Sequence, residues 1–288
     1  MPLLYKYRVI NDHALRIFTH KELFFAPVER LNDPFDGQLS PGDYVDGLDS
    51  GVADILRANE EYVKYVANAK RKGVLSMSIR SDSIPMWAHY ADKHRGICLG
   101  FSESLGDDFD QYSVDQSELV SMLKTKCTQC AKSKSECLVC NVANEIDELE
   151  WDQCSRSWWP VKYLGKSDPH PFSDLCCSIE LELNEDPDLA HDFLASIQIQ
   201  KIEDVVKCDD WEYEKEIRFV APVSGARKFH SSALKIVIFG VKTSEEDKSK
   251  ILKLLDKPEW KHVDVVDYKK GKTSISLELG NVLKNGEI

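Results

Sequence analysis

Residues 214–221, Glu-Lys-Glu-Ile-Arg-Phe-Val-Ala, entered through Trp211-Glu212-Tyr213, decide how the chain is read. The run reads as a strand: it is rich in β-branched and aromatic residues and has no glycine or proline. Alternate side chains of a strand share a face, so Glu214, Glu216 and Arg218 project together. Two carboxylates two residues apart repel unless a cation or a polarised ligand lies between them, and one of them then holds its proton more tightly. The plainer alternative is a solvated edge-strand face, on which such a pair costs little.

Downstream, Leu234–Gly240 (LKIVIFG) is a second strong strand, Ser244 caps a helix reaching about Leu255, and strands are expected near 262–267 and 274–279. Upstream, residues 3–10 form the first strand and Asn11 or Asp12 caps the helix that follows. A short strand at Glu22–Ala26 ends at Pro27, and apolar residues at helical spacing predict a helix over 51–71, stopped by Gly73. Then come a strand at Val74–Ile79, a helix at Ser83–Lys93 with Pro85 in its first turn, and a buried strand at Gly96–Phe101. Val161–Leu164 reads as a short strand, and 171–181 and 187–200 read as helices. Strands and helices mix without strict βαβ alternation, which gives an α+β class. The expected organisation is one domain over 1–288 with an inserted helical segment at 102–160, whose last helix runs from Val142 to Trp158.

The chain has 288 residues, 42% of them hydrophobic, enough to fill a core. A net charge of −12 disfavours coating of a phosphate backbone. No apolar run approaches the roughly 20 residues that cross a bilayer, and the first residues lack the pattern of a secretory signal. A cytoplasmic setting without membrane attachment is expected.

Four of the nine cysteines fall at Cys127-x-x-Cys130 and Cys137-x-x-Cys140. Each CxxC turn supplies half of a tetrahedral site, and the polar loop between them has no core residues to order it. The expectation is a structural zinc knuckle over 127–140. Lys124, Lys126, Lys132 and Lys134 offset its negative charge, or alternatively form a small nucleic-acid patch. Cys98, Cys154, Cys176, Cys177 and Cys208 read as ordinary buried thiols.

Three segments carry candidate chemistry: Tyr5-Lys-Tyr-Arg8, Ser76-Met-Ser78 and Trp211–Arg218. His89 and His94 are five apart, where a two-histidine metal helix needs four. No nucleophile elbow, phosphate-binding P-loop or dinucleotide fingerprint occurs. In Asn32-Asp-Pro-Phe-Asp36, Asn32 and Asp33 are expected to bond a turn fixed by Pro34, with the lining of a cleft by Asp33 and Asp36 as the alternative.

The segments LYKYR, LNDPFD, MWAHYADKHRGICLGF and WEYEKEIRF, followed by LKIVIFG and a helix, together resemble a bacterial family, domain of unknown function 2971, over roughly 3–280. The cysteine insertion departs from the family's usual pattern. A more distant likeness is to the ADP-ribosyltransferase fold, a split β-sandwich that holds NAD between its sheets. That resemblance implies that Arg8 engages the NAD phosphates. It also implies that Ser78, with Ser76 in a Ser-Met-Ser in place of Ser-Thr-Ser, orients the nicotinamide ribose. Glu216 would stabilise an oxocarbenium-like transition state, Glu214 would activate the acceptor, and Tyr90 or Trp87 would stack on nicotinamide. The implied activity is cleavage of NAD and transfer of ADP-ribose to a macromolecular acceptor. Two other readings stand beside it. One is a non-catalytic nucleotide-sensing or protein-interaction module of a bacterial defence or regulatory system. The other is a nucleic-acid-processing protein that uses the basic knuckle.

Overall fold

The computed structural model describes residues 3–33, 35–36, 50–58, 63, 67, 71–106, 158–168 and 206–286. The cysteines of the expected knuckle, most of the 102–160 insertion and the helices expected at 171–181 and 187–200 lie outside the described residues.

Strand β1 (Leu4–Arg8) leads into helix α1 (Asp12–His20), as its capping signal requires: the Asn11 side-chain oxygen accepts from the Ala14 N–H at 3.0 Å. Lys21, in the left-handed region at φ 55°, turns the chain into β2 (Glu22–Pro27). Helix α2 is described over Ser50–Ala58, and β3 spans Gly73–Ser78. Helix α3 (Ile84–Tyr90) stops three residues before the expected end, because Asp92, Lys93 and His94 all take positive φ (44°, 53° and 72°). Strand β4 (Ile97–Phe101) follows.

Trp158, expected at the end of a helix, instead opens the short strand β5 (Trp158–Pro160), followed by β6 (Lys162–Leu164) and β7 (Val206–Cys208). Strand β8 begins at Glu216, not Glu214, and runs to Ala221. The residues before it, Asp209–Glu214, wind into a 3₁₀ turn that Lys215 closes at φ 44°. The chain ends with β9 (Gly225–Lys228), β10 (Leu234–Phe239), α4 (Glu245–Leu255), β11 (Asp264–Lys270) and β12 (Leu277–Lys284). Ser244 caps α4 through the Asp247 N–H at 3.1 Å, with three acids in the first turn.

The strands dominate and form one open sheet in the order β12-β11-β10-β4-β1-β3-β2-β9, with β8 and then β5 added beside β3. All these pairs are antiparallel except β10 with β11. Strands β6 and β7 make a separate parallel pair. The class is α+β, as the mixed element order implies. β4 is buried on both faces, as is β10 over Val237–Phe239. Ile97, Leu99, Phe101, Val237 and Phe239 enter one core with α1 and α4, while Cys98 and Ile238 enter another with Trp87 of α3. None of the described helices is long and apolar enough to cross a membrane.

One departure from a simple ladder creates the site. β1 meets β3 only at Tyr5–Ser78, whereas β2 meets β3 at the opposite end, at Ala26–Val74 and Pro27–Gly73. Between those contacts the two strands part along one edge of β3. The end of β1 is fixed by close approach: a Cβ at Gly96 would stand 2.1 Å from the Arg8 carbonyl oxygen. Gly96→Ala therefore forces β1 and β4 apart, at an expected cost of about 1–3 kcal/mol, read as a lower midpoint in urea unfolding. A midpoint equal to wild type contradicts the assigned contact.

Candidate functional site

A cavity of about 610 Å³ occupies the gap where β1 and β2 part, within the size range of small-molecule sites. Lys6 and Arg8 reach it from β1, Phe24 from β2, Ser76 from β3 and Tyr90 from the last turn of α3. Lys207, Glu214 and Glu216 line it from the other side.

Behind the acids lies a buried five-charge cluster: Asp36, Lys207, Glu214, Glu216 and Arg218 are each 5% exposed or less. Arg218 makes a two-pronged pair with Asp36, at 2.8 and 2.5 Å, and a second with Glu216, at 2.8 and 3.0 Å. Lys207 Nζ bonds Glu214 at 2.6 Å and Glu216 at 3.3 Å, and stands 3.7 Å from Asp36. It also lies 4.8 Å from the centre of the Trp211 ring. The other oxygen of Glu214 accepts from the Tyr90 hydroxyl at 2.5 Å, and Asn32 Nδ2 donates to that hydroxyl at 2.5 Å. Three acids face two bases, so the cluster carries one excess negative charge when all are ionised. Removing such charges from water is costly, and only this density of paired hydrogen bonds offsets it.

The two glutamates are pushed in opposite directions. Burial pushes the Glu214 carboxyl up, and Lys207 and Tyr90 offset this only in part. Burial would also raise Glu216, but Arg218 and Lys207, with a hydrogen bond from Ser76, hold it down at about 2. Two carboxyls with separated proton affinities are the arrangement by which one site supplies both a proton-transfer group and a fixed charge. Lys207 would lose its proton more easily through burial, but Glu216 and Glu214 keep it charged. On β1, burial and the neighbouring Arg8 bring the Lys6 amine down to about 7, against the pull of Glu216 and Glu214.

A pH dependence follows. The depressed Glu216 contributes stability that is complete above its ordinary value of 4.5 and is lost as pH falls toward about 2. That interval corresponds to on the order of 3 kcal/mol. Glu214, shifted upward, has the opposite sign: it weakens the fold as pH rises through its folded value. Melting temperatures followed downward from pH 5 are expected to fall steeply in wild type and less steeply in Glu216→Gln. Parallel curves would contradict the assignment.

Of the residues singled out in the sequence, Arg8, Ser76, Tyr90, Glu214 and Glu216 line this one cavity. Ser78 does not. It is fully buried, its hydroxyl donates to the Glu214 carbonyl at 2.6 Å and accepts from the Arg80 N–H at 3.1 Å, and it thereby fixes the turn that delivers Glu214. Trp87 is also excluded from ligand contact: it is fully buried and donates to the Ser81 carbonyl at 2.7 Å. Asp33 accepts from the Phe35 N–H at 2.9 Å, the turn bond expected of it, but Asp36 joins the cluster and Asn32 joins Tyr90. Lys207 was not foreseen. Its one signal was the need for a cation between two like charges, which Arg218 was already able to meet. The metal candidates Cys127, Cys130, Cys137 and Cys140 lie outside the described residues.

No curated protein and no solved structure matches this chain. Residues 86–219, which include most of α3, the Glu214 turn and most of β8, match the family model described as protein of unknown function (DUF2971).

Proposed function

We propose that the cavity binds NAD and cleaves its nicotinamide–ribose bond, passing ADP-ribose to a macromolecular acceptor. The observation that carries this reading is that a guanidinium, Arg8, and the oppositely shifted acids Glu214 and Glu216 line one cavity of about 610 Å³. Among the described residues, no carboxylate lies within 4.0 Å of Arg8, and a half-buried cation that none of them pairs suits a ligand phosphate. Breaking the glycosidic bond builds positive charge on the ribose, which the excess negative charge of the cluster stabilises. Glu214, with its raised proton affinity, takes the proton of the attacking acceptor. The parting of β1 and β2 supports reading the sheet as the split sandwich of ADP-ribosyltransferases, with Ser76 in the place given to Ser78. The setting proposed is the cytoplasm, where NAD is supplied.

One observation favours a second reading, a nucleotide sensor that does not cleave. Both Glu216 oxygens are engaged by Arg218, and one also by Lys207, which limits what the acid offers a ligand. Incubation with NAD and chromatography of the products separates the two. Released nicotinamide supports the transferase. A melting temperature raised by NAD without release supports the sensor. Neither effect would sink both readings.

Independently, Cys127, Cys130, Cys137 and Cys140 are proposed to hold a structural zinc whose four positions are all filled by thiolates. Elemental analysis is expected to give one zinc per chain, lost in Cys137→Ser. A folded chain free of zinc overturns the assignment.

A further inference from the structure

The proposed cleavage of NAD does not use Lys6, which lines the cavity. Lys6 sits in the middle of β1, paired with Leu99 of β4, and its side chain enters the cavity two residues from Arg8 on the same face of the strand. Its Nζ donates to the Ser76 carbonyl, on the edge of β3 where β1 and β2 have parted. Among the described residues, no carboxylate lies within 4.0 Å of it. The charged groups that act on it are Arg8 on its own strand and Glu214 and Glu216 across the cavity. Lys207, the other cavity lysine, is by contrast locked between two acids.

An amine removed from water beside a second cation, without an acid to hold its proton, loses that proton near neutrality and becomes a nucleophile. A carbonyl oxygen is only an acceptor, so the bond to Ser76 uses one N–H and leaves the nitrogen lone pair free for the cavity.

We propose that Lys6 is a nucleophilic amine that condenses with an anionic aldehyde, whose phosphate or carboxylate is held by Arg8. The Lys6 lone pair attacks the carbonyl carbon to give a carbinolamine. The former carbonyl oxygen then leaves as water, carrying away both protons originally on the nitrogen, and a C=N bond remains. No oxidant or reductant is needed. The open-chain form of a phosphorylated sugar belongs to this class of ligand. The inference uses the cavity and Arg8 but not NAD cleavage, and it stands if no nicotinamide is released.

The test uses the full chain, pyridoxal 5′-phosphate as the probe and borohydride to fix the imine, with the modified lysine located by peptide mass spectrometry. Lys6 is expected to be labelled at least ~10-fold faster than the exposed Lys257 at neutral pH, as a desolvated amine requires. Inorganic phosphate is expected to slow it, and Arg8→Gln to slow it by about 10-fold, the loss of one charge-assisted contact. Lys6→Gln removes the amine, keeps an N–H donor on the side chain, and is expected to keep the fold by circular dichroism while losing the adduct. Labelling of Lys6 no faster than Lys257 in the folded protein overturns the proposal. So does a rate that neither phosphate nor Arg8→Gln alters, because the anion would then have no part in binding.

Discussion

Arg218→Met is expected to destabilise the protein by about 3–5 kcal/mol, the cost of leaving buried charges without their partner. Arg218 is 1% exposed and gives two hydrogen bonds to Asp36 and two to Glu216. Without it, Lys207 alone faces three acids. Lys207 is already committed to Glu214 at 2.6 Å and stands 3.7 Å from Asp36, too far for a good hydrogen bond. The damage is expected to spread, because Asp36 is the point at which the loop carrying Asn32 is tied to β8. Asp36→Asn in the Arg218→Met background should therefore cost less than it does alone, and urea unfolding of the four proteins measures that coupling. Additive costs would mean that the pair is not the unit described here.

Glu216→Gln is expected to lower nicotinamide release by about 10²–10³-fold, the usual scale for removing a group aimed at developing charge. The protein should survive this change better than loss of Arg218. A glutamine oxygen still accepts from Arg218, Asp36 still pairs with Arg218, and Lys207 keeps Glu214. The cluster goes from one excess negative charge to none, which removes the electrostatic term and little of the packing. A variant that folds, binds NAD as wild type does and keeps full release would show that the charge of Glu216 has no part in the chemistry.

Local signals were the readable part of this chain. Asn11 and Ser244 cap the helices expected of them, and β3, β4 and β10 fall within a residue or two of their apolar runs. Each depends on a side chain meeting backbone or core a few residues away. The last two strands were displaced from expectation, at Asp264–Lys270 and Leu277–Lys284, because β12 is an edge strand with mostly exposed residues and little apolar pattern to mark its limits.

At the site, the two acids and Arg8 were readable from residue type and alternation, but the way they are held was not. Alternation predicted that Glu214 would continue the strand. Instead Lys215 adopts a left-handed conformation and Glu214 arrives from a 3₁₀ turn, pinned through its carbonyl by Ser78, which is 136 residues away in sequence. Lys207 and Asp36 enter the cluster through tertiary contacts, the latter across 182 residues, for which no local pattern exists. Of the two candidate serines, Ser76 lines the cavity and Ser78 does not. They share a strand face, and only the parting of β1 and β2 distinguishes the open position from the closed one.

Titration of NAD into the wild-type chain and into Arg8→Gln by calorimetry tests most directly whether one ligand spans the gap between β1 and the paired acids. Saturable binding to wild type at one site per chain is expected, weakened at least ~10-fold by Arg8→Gln, with the melting temperature of the ligand-free variant unchanged. No binding to wild type, or equal affinity in the two proteins, would contradict it.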